Sequence, residues 1–139
     1  MPLNSSVKMP KRLAVSEQME IRVDAQSHYL ENHSDPANNQ FAFSYTITLT
    51  NSGNVAAQLK SRHWFITDGN EEVQEVIGEG VIGEFPYLKP GESYEYSSGA
   101  MLDTPTGTME GSYQMVTDSG NEFEATVPLF ALIKPDQLH

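Results

Sequence analysis

The chain has 139 residues, a formal net charge of −11 and no cysteine, which fits one domain and excludes thiolate nucleophiles and cysteine-ligated zinc or iron–sulfur centres. A chain of this length buries roughly two-thirds of its unfolded surface, so it folds without a disulfide or a metal. No window reaches the roughly 18 to 20 continuous apolar residues of a membrane helix, and the N-terminus lacks a signal-peptide core, so a soluble, cytoplasmic protein with no membrane partner is expected.

Residues 1 to 16 are polar, contain Pro2 and Pro10 and show no sustained apolar period, which reads as a flexible basic arm. Four of the eight basic residues (Lys8, Lys11, Arg12 and Arg22) precede position 23, leaving four basic against seventeen acidic groups in the rest of the chain. Such a body repels a phosphate backbone, so no nucleic-acid partner is expected for the folded domain. From Met19 the chain alternates, with Met19, Ile21, Val23 and Ala25 on one face, the pattern of a half-buried strand. After the polar stretch from Leu30 to Asn39, Phe41, Phe43, Tyr45, Ile47 and Leu49 again share a face. Asn51-Ser52-Gly53-Asn54 ends this strand, and Val55 to Thr67 forms the next. Asp68-Gly69-Asn70 turns the chain into Glu72 to Gly78, a hairpin signal. Beyond the glycine-rich stretch, strands are expected over Glu92 to Ser98, Thr108 to Thr117 and Glu122 to Leu132.

Seven short strands with turn residues between nearly every pair indicate an all-β, immunoglobulin or fibronectin type III-like antiparallel β-sandwich over residues 17 to 139. Trp64 falls on the third strand, where such folds bury a tryptophan, and Tyr113 occupies a tyrosine-corner position two residues before Met115. Strict alternation from Leu59 to Ile66 would place Leu59 and Trp64 on opposite faces, and a β-bulge near Arg62 and His63 would reunite them.

Gly78-Glu79-Gly80-Val81-Ile82-Gly83 matches G-x-G-x-x-G, but Pro86, Pro90 and Gly91 preclude the helix that a phosphate cradle requires, and Glu79 and Glu84 bring negative charge. A tight bend or a protein-contact loop fits the context better. His28, His33, His63 and His139 lack metal-ligand spacing, and no G-x-S-x-G elbow singles out a serine.

Arg62-His63-Trp64, the glycine loop through Glu84, Leu88-Lys89-Pro90-Gly91-Glu92, Asp103-Thr104-Pro105-Thr106-Gly107 and Met109 to Val116 occur in the order and spacing of the bacterial ApaG family, also called CorD. The resemblance covers about residue 15 to the C-terminus. It implies a fibronectin type III-like sandwich and an association with cobalt tolerance and magnesium efflux. Genes of this family often neighbour a diadenosine tetraphosphate hydrolase and an rRNA dimethyladenosine transferase, but neighbourhood assigns no catalytic residue. Related domains in eukaryotic F-box proteins and in a DNA-polymerase-interacting protein resemble protein-interaction modules. The expectation is a non-catalytic module, with no cofactor, that binds an unidentified protein partner, and a homodimer is left open. The expected contact surface comprises Arg62, His63, Gly78, Gly80, Gly83 and Glu84. Two alternatives stay open: a sensor of a divalent metal or a nucleotide at the glycine loop, and an enzyme acting on nucleotides.

Overall fold

A computed structural model describes residues 16–137, so the basic arm expected over residues 1 to 16 lies, apart from Ser16, outside the described residues. The alternating segments form β1 (Ile21–Tyr29), β2 (Phe41–Asn51), β3 (Ala57–Asp68), β4 (Val73–Glu79), β6 (Ser93–Leu102), β7 (Thr106–Thr117) and β8 (Glu122–Ile133). The two-residue β5 (Tyr87–Leu88) is an eighth strand that alternation over so short a run does not reveal. Single turns of 3-10 helix occupy Glu31–His33, Pro36–Asn38 and Pro135–Gln137.

The strands make two antiparallel sheets packed face to face, one ordered β1-β2-β6 and the other β4-β3-β7-β8, with β5 joined to β3 beyond the end of β4. Inward-facing residues of both sheets build one core, which Phe41, Phe43, Tyr45, Ile47, Leu49, Tyr113 and Met115 share with Trp64 as their alternation predicts. Trp64 is 2% exposed and meets Tyr45, Tyr113 and Phe130 edge-on, with ring centroids 5.6 to 6.0 Å away. Asn51, buried at the end of β2, donates from Nδ2 to the carbonyls of Val55 and Leu88 and so ties the turn into β3 to β5.

Two sequence expectations need correction in detail. The bulge lies at Lys60, two residues before Arg62, because the register against β7 runs Leu59 to Met115 and then Ser61 to Gln114. Lys60 is exposed, so bulging there keeps its ammonium in water while Leu59 and Trp64 both face the core. Tyr113 does not bond back to its own strand as a tyrosine corner does. Its hydroxyl meets that of Tyr96 on the opposite sheet at 2.5 Å, and burial pushes both phenols well above their ordinary pKa.

The two long sides of the sandwich differ. β1 packs along β8, and Ser27 Oγ donates to the Ala131 carbonyl at 2.7 Å. On the other side β4 and β6 are both sheet edges and make no comparable contact.

Candidate functional site

The bulge at Lys60 sets the phase of the residues after it. Arg62 faces inward with Trp64, while His63 and Phe65 face outward. The Arg62 guanidinium lies on Gly78, where even a Cβ would sit 2.7 Å from its carbon, and Nη1 donates to the carbonyls of Glu79 (3.0 Å) and Gly80 (2.9 Å). Arg62 therefore pairs with main-chain oxygens rather than with a carboxylate.

Those carbonyls open the glycine loop, which is a tight hairpin. Val81 and Glu84 exchange backbone hydrogen bonds of 2.9 and 2.8 Å around Ile82 and Gly83, both at positive φ as a type I′ turn requires. The Val81 side chain is fully buried and anchors the turn in the core. The N–H of Gly80 donates to the Lys60 carbonyl, so the N–H groups of Gly80, Val81 and Glu84 are all consumed within the fold. A phosphate cradle needs such donors free and a helix behind them, and this loop offers neither those three donors nor the helix.

Of the six expected contact residues, the structure gathers Arg62, Gly78 and Gly80 into one unit, with Gly83 and Glu84 in the adjoining turn. His63 is placed apart on the outer face, where its Nε2 lies 2.5 Å from Glu75 Oε2 and its ring lies tilted against that of Phe65, with centroids 4.6 Å apart. Gly80 is also no neutral place for a bulky probe. Its φ is +61°, and a Cβ would lie 2.4 Å from the Glu84 carbonyl oxygen.

Sequence reasoning missed what surrounds this unit. Along β4 the outward face carries Val73, 60% exposed, and Ile77, 69% exposed, and beyond the strand Ile82, Phe85 and Tyr87 are exposed too. Glu72, Glu75, Glu79 and Glu84 intersperse them. The signal was the apolar run Val76-Ile77, in which one residue faces inward and the other outward. Behind β4, between the sheets, runs a cleft of about 270 Å³ lined by Arg62, Trp64, Gln74, Val76 and small residues of β6. Among the described residues no three His, Asp or Glu side chains are grouped to hold a metal ion. No helix of the described residues is long and apolar enough to cross a membrane.

The family model of the ApaG domain matches residues 31–117, the span from before β2 through β7 that contains Arg62, Trp64 and the glycine turn. Protein ApaG of Thiobacillus denitrificans is 54% identical over 127 residues, covering 91% of this chain and 100% of that protein. The chain belongs to the ApaG family. Protein ApaG of Aromatoleum aromaticum is 53% identical over the same shares. The crystal structure of a protein from Bordetella pertussis, described as a putative ApaA protein, superposes with a TM-score of 0.82 at 47% identity, covering 84% of this chain and 95% of that one. That solved structure thus shares the sandwich of this chain over most of both lengths.

Proposed function

We propose that this ApaG domain is a non-catalytic protein-binding module that takes an extended basic and apolar segment of its partner along β4. The observation that carries the reading is the edge itself. β4 ends its sheet, presents unpaired main-chain groups, and exposes Val73 and Ile77 where natural edges are usually protected by charge or proline. A partner strand added there gains main-chain hydrogen bonds, with alternate side chains meeting this apolar row. The carboxylates of Glu72, Glu75 and Glu79 favour a partner carrying Lys or Arg between its apolar residues. A second copy of this chain brings the same carboxylates and a net charge of −11, so like charge opposes self-pairing. The link to divalent-cation tolerance that the family resemblance implies then runs through the partner.

Selection from a displayed library of random extended peptides tests this. The expected enrichment is for alternating basic and apolar residues, with binding abolished by Ile77→Lys and kept by Leu129→Lys on β8. Recovery of no such peptide, or binding that survives Ile77→Lys, overturns the reading.

A further inference from the structure

The inward face of β6 reads Tyr94, Tyr96, Ser98, Ala100 and Leu102, so two small side chains follow two aromatic ones. On the facing sheet β4 contributes Gln74 and Val76 to the same space. The small Ser98 and Ala100 on β6 leave the space facing Gln74 and Val76 unfilled, against the close packing that cores otherwise reach. The result is the cleft between β4 and β6.

Two features mark this cleft as a ligand site. The first is its charge. Arg62 is its only charged lining residue, and no carboxylate lines it although the chain has 19 acidic side chains. Among the described residues Arg62 makes no salt bridge, and only Nη1 has acceptors, which leaves Nε and Nη2 with donors to give. A half-buried cation without a counter-charge is an expensive arrangement unless something pairs with it. The second feature is Trp64. It lines the cleft together with Val76 and Ala100, which gives the guanidinium an apolar wall beside it.

We propose that the cleft binds a small organic monocarboxylate, with the carboxylate on the Arg62 guanidinium and the apolar body against Trp64, Val76 and Ala100. Guanidinium matches a carboxylate with paired donors. A single positive charge suits a monoanion, and the adjoining hollow carries Asp68, Glu72 and Asp103, which repel a phosphate dianion. Drug-sized pockets hold roughly 300 to 1,000 Å³. At about 270 Å³ the cleft suits a smaller molecule. This site uses inward-facing side chains of β4, whereas partner recognition rests on its main-chain edge and on Val73 and Ile77 of its outward face, so Ser98→Leu and Ile77→Lys separate the two.

The chain has one tryptophan, and its indole N–H gives a single assignable resonance in a 1H–15N spectrum. Titration with 3-methylbutanoate is expected to shift that resonance saturably, with a dissociation constant on the order of 1 mM for so small a ligand. The neutral 3-methylbutanamide and inorganic phosphate are expected to leave it in place. Arg62→Gln is expected to weaken binding at least tenfold. Because Arg62 also ties the glycine turn, Ser98→Leu provides a second variant from the opposite sheet, filling the gap and abolishing the shift while the rest of the spectrum stays native. Ile77→Lys on the outward face should leave the titration unchanged. An unmoved indole resonance at ~50 mM 3-methylbutanoate, an equal response to the amide or to phosphate, or a shift that persists in Ser98→Leu overturns the proposal.

Discussion

The two long sides of this sandwich are made of the same secondary structure and yet behave as opposites. On the β1–β8 side large inward residues (Val23 on β1, Val127 and Leu132 on β8) are fully packed, and a side-chain hydrogen bond staples one sheet to the other. On the β4–β6 side the small Ser98 and Ala100 face Gln74 and Val76 across a gap, the Arg62 guanidinium lies over Gly78 in place of apolar packing, and apolar side chains turn outward instead. The closed side shows what the chain needs to fold. The open side departs from it both inside and outside, and such departures from packing are where binding is to be sought.

The largest expected effect tests the bridge between the sheets. Tyr96 and Tyr113 are held neutral by burial, so in the folded chain their pKa values are raised above the unfolded value of about 10. The unfolded state then binds fewer protons above pH 10, and stability, intact below that pH, falls as pH rises. Each group costs about 1.4 kcal/mol per pH unit beyond that point. Absorbance of ionised tyrosine should therefore show Tyr96 and Tyr113 ionising only as the domain unfolds. Smooth ionisation of both with the circular dichroism unchanged would contradict the buried pair.

Trp64→Ala comes next. Trp64 reaches from the open cleft to Phe130 near the closed side, and its truncation should cost about 3 to 5 kcal/mol in denaturant unfolding. A smaller loss, below about 1 kcal/mol, would mean that the open side adds nothing to the core. Gly80→Arg should cost about 2 to 3 kcal/mol, because a positive φ and the Glu84 carbonyl both oppose a side chain there. A melting temperature equal to that of the parent would show that the glycine turn can rearrange. The smallest change has the opposite sign. Ile82 is a β-branched, exposed residue at φ +44°, and Ile82→Asn should stabilise the domain by about 1 kcal/mol, since Asn tolerates that conformation. Destabilisation instead would place Ile82 among the residues that hold the turn.

The sandwich was legible because alternation is a local signal: the face shared by Phe41, Phe43, Tyr45, Ile47 and Leu49 needs no partner strand to be seen. The break in alternation before Trp64 was legible as well, although not its place, since only pairing with β7 shows that Lys60 is the extra residue. Arg62 stood out as an isolated basic residue, but its task depended on Gly78 arriving across the β3–β4 hairpin. His63 stood beside it in sequence, and adjacent residues on a strand face opposite ways. The cleft was least legible. It is lined by Gln74 and Val76 on β4 and by Ser98 and Ala100 on β6, which lie in different sheets, and no local pattern connects Val76 to Ser98.

The central claim, that the open side is the binding side and β4 its docking strand, is tested most directly by hydrogen exchange. Amides of the domain are compared with and without a peptide recovered in the selection. The expected result is slowed exchange confined to β4 and the turn from Gly80 to Glu84, with β1 and β8 unchanged. Protection of β1 or β8 with β4 unaffected would contradict the claim.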